Sequence, residues 1–288
     1  MGIDAHSIRF LREAHGTGVN FASTITLGCQ SISDAQETLS AFTDVAGTSG
    51  RATSRRLFEA VGCTGFHQMD HSDYEGADVA HDLNLPLRNE LESKFDVVFD
   101  GGTLEHVFNV AEGLRSCMRM LKVGGHFIGH SPANNWFGHG FYQFSPEFFW
   151  RAFSPENGFE IQRLVAYEPS GGGQWFDVRD PREVGQRIEL MGPFRVLLLV
   201  LAKKTREVPP FQKSPAQSDY AAAWNAKGGT QQPAGNPGAS TGLRGRIRGL
   251  VDRLPSPVGR LVRTLCGGIL YRNYSMKNTR HFTPVAPK

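Results

Sequence analysis

An α/β fold with a doubly wound, mostly parallel sheet is predicted by three features of the sequence. Short apolar runs with β-branched or aromatic residues alternate with longer helix-periodic stretches from about residue 24 to 203. The run Phe95-Asp-Val-Val-Phe-Asp100 is apolar enough for a buried strand. It also ends on an acid followed by two glycines and a helical pattern, which is how such a sheet presents polar groups to a ligand.

The elements follow in order. Ser23–Gly28 reads as the first strand and a helix is expected near 33–42. Residues 55–62 are helical in pattern, and Thr64–Asp70 reads as a second strand ending on Asp70. A short third strand is expected over 77–84, ending near Asp82. Lys94–Asp100 is the fourth, followed by a helix from Glu105 to about Leu121 that Gly124 can cap in the left-handed conformation. Gly125–Pro132 is the fifth strand and residues 145–153 form a helix. Residues 159–168 and 194–204 then read as a closing antiparallel pair, giving seven strands.

Composition bounds the rest. A chain of 288 residues with 40% hydrophobic and 20% charged residues can bury an ordinary core. Its four cysteines form no CxxC pair, which argues against a disulfide framework and an all-cysteine zinc site. The first residues show no signal-peptide pattern, and the longest apolar run, Val196–Ala202, is too short to span a bilayer. A soluble, cytoplasmic protein is expected.

The net charge of +3 conceals an asymmetry. Residues 242–288 hold ten Lys/Arg against the single acid Asp252, so they carry +9 and the preceding residues 3 − 9 = −6. Residues 205–241 are rich in Pro, Gly, Ala, Ser and Gln, with few large apolar groups. The expected organisation is an α/β domain over 1–204, a flexible linker over 205–241 and a basic, partly helical extension over 242–288.

Ligands of open α/β sheets bind beyond the carboxyl ends of the strands. Those ends supply Gly28, Asp70, Asp82, Asp100 and His130. Two acids at successive strand ends suit a nucleoside, one accepting from two ribose hydroxyls and the other from an exocyclic amine. Asp70 and Asp82 are equally compatible with plain strand ends or helix caps.

Residues 70–87, 95–128 and 144–161 together resemble a class I S-adenosylmethionine-dependent methyltransferase of the small-molecule type. The resemblance spans roughly residues 20–203, and its most specific parts are "LEHV", "LKVGG" and "GFEI". It implies a Rossmann-like sheet and S-adenosylmethionine as cofactor. It places Asp70 at the ribose hydroxyls, Asp82 at the adenine amine, and Asp100 and Gly101 near the methionine and sulfonium end. Glu105 and His106 would start the helix beside the methyl group.

The first motif departs from that family. An acid followed by Gly-x-Gly-x-Gly is expected, but the segment is "ITLGCQSI", with Thr26 in the acid's place and Gln30 and Ile32 in place of two glycines. Of the three, Gly28 remains. A side chain at 30 narrows the approach of the cofactor, although the Gln30 amide can itself hydrogen-bond the methionine carboxylate.

Methyl transfer to a hydroxyl calls for positioning and a general base. His106 is the first candidate, with helix-start packing as its structural alternative. The loop 130–146 should overhang the pocket, and His139 and Tyr142 are its candidate acceptor contacts. Seven of the ten histidines lie between His67 and His139. The HxxxH pairs His67/His71 and His126/His130 fall on predicted strands, where four residues span about 13 Å, so no metal is expected.

In the basic extension, Leu243, Ile247, Leu250, Val251 and Leu254 recur at helical spacing with arginines opposite. That suits an anionic membrane surface, placing the protein peripherally there, an acidic partner, or an acidic face of the same protein. Nucleic acid is the unlikely partner, since interleaved aromatics are lacking. Two functions of different class remain: methyl transfer to a hydroxyl of a small molecule, sugar or glycan, or a non-catalytic methyltransferase-like scaffold that has lost cofactor binding.

Overall fold

The computed structural model describes residues 2–32, 51–170, 173–225 and 275–286, with Leu250, Arg253, Pro255 and Val258 as single positions. The helix expected near 33–42 and most of the basic extension's apolar stripe lie outside the described residues.

Asp4 starts helix α1 (Ala5–Gly16), its carboxylate accepting from the Ser7 amide 2.7 Å away. Ser7, Ile8, Leu11 and Ala14 recur at helical spacing and, with Phe10, form its buried face. The charged residues between them mask this pattern in the sequence.

Then follow β1 (Ser23–Leu27), α2 (Arg51–Ala60), β2 (Gly65–Asp70), β3 (Val79–Ala80), β4 (Phe95–Asp100) and α3 (Val110–Met120). After these come β5 (Leu121–Pro132), α4 (Pro146–Ala152), β6 (Phe159–Tyr167), β7 (Trp175–Val178), β8 (Leu197–Lys204), α5 (Ser218–Asn225) and β9 (Phe282–Pro284). The sheet order is β3-β2-β1-β4-β5-β8-β6-β7-β9. The pairs from β3 to β5 are parallel, and β8, β6, β7 and β9 close the sheet antiparallel.

Each face of this sheet is covered by its own hydrophobic cluster. Leu114, Cys117, Met118, Phe149 and Phe153 pack on one side, while Ile8, Leu11, Leu57 and Phe58 pack on the other. In β4, Val98 joins the first cluster and Val97 and Phe99 the second, so the strand is apolar on both faces. Phe95 also joins the first, two residues from Val97 yet on the opposite side, because the β4–β5 register shifts between them.

Several expectations are corrected. The third strand has two residues, and Asp82 lies in the turn beyond it. Glu105 belongs to a 3-10 turn, Leu104–His106, and the α-helix begins at Val110. Gly124, at φ +89°, lies inside β5 rather than capping α3. Buried Lys204 takes that role, its ammonium donating to the carbonyls of Met118 and Leu121 at 3.0 and 2.9 Å.

Among the described residues the sheet has nine strands rather than seven, the additions being the short β7 and β9. β9 belongs to the segment expected as an appendage, yet Phe282 and His281 are buried and Val178 pairs with Phe282. The segment expected as a flexible linker is likewise held at its start. The Phe211 amide donates to Asn157 at 3.0 Å and the Ser218 amide to Glu147 at 3.1 Å, which leads into α5. Phe211 itself also packs against the larger core cluster.

Candidate active site

The direction of the strand order reverses between β1 and β4, whose ends lie side by side with Leu27 opposite Asp100. This is the switch point where such sheets bind ligands. Asp70, half-buried at the end of β2, accepts from the Cys29 amide at 3.2 Å and from the His71 amide at 2.7 Å. It thereby ties the loop after β1 to its neighbour. Asp82 accepts from the Asn84 backbone and side-chain amides at 2.9 and 2.8 Å. The Asn84 backbone amide is the main cause that holds its carboxyl below the ordinary value. Both acids stand at the rim with lone pairs to spare.

Between them and β4 the first loop folds inward. Gly28 takes φ +74°, open to glycine at little cost. The buried Gln30 amide donates to the Leu27 carbonyl, and its Oε1 has no hydrogen-bond partner. That oxygen lies against Gly101, where an added Cβ would fall 2.3 Å from it. Thr103 completes the junction by donating its hydroxyl to Leu27 at 2.8 Å.

Asp100 is fully buried. One of its oxygens accepts from the Thr103 amide at 2.8 Å and from Gly102 and Leu104 at 3.3 Å, shaping the turn after β4, while the other has no partner. Burial raises its pKa to about 6 against the pull of those amides. Glu105 is also fully buried, and neither of its oxygens has a hydrogen-bond partner. Burial first, and the Asp100 carboxylate second, push its pKa up to about 8.

The loop after β5 reaches this point through a glycine. Gly140, at φ +68°, lies so close to Glu105 that an added Cβ would sit 2.7 Å from the Glu105 carbonyl oxygen. The Phe141 amide donates to that same oxygen at 2.7 Å. His139 is thereby carried over Glu105, with Nε2 3.4 Å from its carboxylate, and its ring lies 4.9 Å from that of exposed His106. Burial is the main cause that holds both imidazoles below the ordinary His value, so both are neutral at pH 7.

Tyr142 is otherwise engaged. Its hydroxyl donates to the Phe108 carbonyl at 2.6 Å and its ring stacks on Phe144, fastening the loop to the turn before α3. His130 sits in a buried network with Ser7 and Tyr167. The structure thus brings Glu105, His106 and His139 together, sets Gly28, Gln30, Asp100 and Gly101 beside them, and keeps Asp70 and Asp82 along the rim. Thr103 and Gly140 were missed in the sequence, since their parts depend on close backbone approach. The φ-permissive glycine beside His139 was the available signal.

The unpaired acceptors Gln30 Oε1, Asp100 Oδ2 and the Glu105 carboxylate suit a ligand with a cationic end, and the rim acids suit hydroxyl and amine donors. Both ends match S-adenosylmethionine, whose methionine part carries an ammonium and a sulfonium.

A family model described as a methyltransferase domain matches residues 47–129, from before α2 into β5. No curated protein sequence matches the chain. Among solved structures, the chain is similar to an S-adenosylmethionine-dependent methyltransferase from Mesorhizobium loti. There the identity is 18%, the coverage 69% of this chain and 97% of that one, and the TM-score 0.42. A second is the 1,6-didemethyltoxoflavin-N1-methyltransferase of Burkholderia thailandensis, at 12% identity, 69% and 78% coverage and TM-score 0.40. A third, from Aquifex aeolicus, is a SAM-dependent methyltransferase at 11% identity, 67% and 88% coverage and TM-score 0.37. The matched segment runs from before α2 into β5 and contains Asp70, Asp82, Asp100, Glu105 and His106, so this stretch of the chain is similar to a methyltransferase domain.

Proposed function

We propose that the chain methylates a hydroxyl of a small molecule, sugar or glycan, with His106 as the group that relieves that hydroxyl of its proton. The observation that carries this reading is the meeting of two neutral imidazoles and a buried carboxyl at the end of β4. Bound S-adenosylmethionine supplies an electrophilic methyl group. Asp70 accepts from the ribose hydroxyls and Asp82 from the adenine amine. Gly28, Gln30, Asp100, Gly101 and Glu105 line the methionine side, where the unpaired oxygens of Gln30 and Asp100 offset positive charge. His106 is exposed and its imidazole is free to accept a proton, and His139 and Tyr142 flank the acceptor from the loop after β5.

The same loop borders a cavity of about 310 Å³ that includes Asn134, Gln143, Phe144 and Ser145, with Leu190 opposite. Its mixture of amides and apolar groups suits an oxygenated small molecule. The basic extension is read as contacting an acidic partner or an anionic membrane surface.

The test supplies the full chain with methyl-labelled S-adenosylmethionine and a panel of sugars, phenols and other hydroxylated small molecules. Label in methyl ethers is expected. Label confined to amine or thiol acceptors would overturn the hydroxyl assignment.

A further inference from the structure

We propose that Glu105, His106 and His139 form a binding site for one divalent transition-metal ion. One ligand atom from each residue lies within 4.8 Å of the other two. Glu105 is fully buried with both oxygens unpaired, and His139 Nε2, 3.4 Å from one of them, also has no hydrogen-bond partner. A buried carboxylate without donors is costly, and neighbouring imidazoles supply lone pairs rather than a compensating charge. A metal ion satisfies all three groups at once. Two imidazoles with one carboxylate favour ions such as zinc, cobalt or manganese over magnesium or calcium.

The site is built rather than incidental. Glu105 and His106 are held by a 3-10 turn whose first amides bond to Asp100. His139 is brought in by the close approach of Gly140 to the Glu105 backbone. The three ligands therefore come from two segments locked to each other through one carbonyl.

Three protein ligands leave coordination positions for an acceptor oxygen. This part of the inference rests on the methyl-transfer reading above. An acceptor hydroxyl bound to the ion becomes more acidic and loses its proton to solvent. Its oxygen then forms the new O–C bond as the C–S bond breaks, and the sulfonium leaves as a neutral thioether. With the ion in place, His106 is a ligand, and the activation assigned to it runs through the metal.

The full-length chain, stripped with a chelator and dialysed, is titrated with cobalt(II) followed by visible absorption, and with zinc and magnesium by calorimetry. One cobalt or zinc ion per chain is expected, with magnesium at least ten-fold weaker. Glu105→Gln, His139→Ala and His106→Ala should each weaken cobalt binding at least ten-fold, while His67→Ala, on exposed β2 surface, should leave it unchanged. His106 is exposed, so its variant keeps the test valid if a substitution at buried Glu105 fails to fold. A wild-type chain that binds neither cobalt nor zinc, or three variants that bind as tightly as wild type, would overturn the site. S-adenosylhomocysteine is titrated separately into the metal-free chain. A chain that binds cobalt but not S-adenosylhomocysteine would sink the methyl-transfer reading and leave the ion site standing.

Discussion

The two sides of the strand-end row are built on opposite terms. On the β2 side, Asp70 and Asp82 are partly exposed and draw hydrogen bonds from nearby amides. On the β4 side, Asp100 and Glu105 are fully buried and keep three oxygens without partners. Exposed, locally satisfied acids can exchange water for a ligand's hydroxyls at small cost. Buried, unsatisfied ones hold unfavourable interactions in reserve for a cation or a developing charge. On the proposed reading, the first arrangement recognises and the second reacts.

Substitutions on each side should therefore fail differently. The largest effect is expected at His106. His106→Ala should lower kcat by about 10²–10⁴-fold, the scale of general acid–base catalysis, while S-adenosylhomocysteine affinity stays within about two-fold. Parallel loss of both would erase the distinction between the two sides. Asp70→Ala should do the reverse and weaken S-adenosylhomocysteine by about 1.5–3 kcal/mol in calorimetry, as a charged hydrogen bond to the ribose requires. An unchanged affinity in a folded variant would remove Asp70 from the recognition side.

His126 provides a control for burial without chemistry. It lies early in β5 and pairs with Lys203, and burial, then the charge of Lys203, lowers its pKa from 6.5 to about 4. Between those values the unfolded chain binds the extra proton and the folded chain does not. Stability should therefore fall as pH drops from about 6.5 towards 4. His126→Gln should recover on the order of 1–2 kcal/mol at pH 5 in denaturant melts, with no change at pH 8. Equal recovery at both pH values would point to packing instead of charge.

The smallest effect is expected where the two sides meet. Gln30→Gly removes the unpaired amide oxygen beside Gly101 and should loosen S-adenosylhomocysteine by about 1 kcal/mol. Tighter binding would show that the amide obstructs the site, as the missing glycines of the first motif also allow.

How much of this could be read in the sequence depended on distance along the chain. The strand ends at Asp70 and Asp100 follow from apolar runs stopped by an acid, a local pattern that the parallel register preserves. That Asp100 turns inward to shape the next turn is also local, but it depends on backbone angles after two glycines, and composition does not encode those. The meeting of His139 with Glu105 was beyond reach. It joins distant segments through a left-handed Gly140 whose need appears only when a carbonyl oxygen is found where its Cβ would be. The linker and extension misled for a related reason. Glu147, Asn157 and β7 anchor them through hydrogen bonds, and the apolar anchors Phe211, Met276 and Phe282 are too widely spaced to form a periodic pattern.

The last strand changes how the basic extension must be thought of as a mechanical object. β9 pairs with Phe176, Asp177 and Val178 of β7, so the last described stretch of the extension is an edge strand of the sheet itself. Phe282 of that strand is buried and also helps wall the cavity beside the loop after β5, so the extension's end and that cavity share one wall.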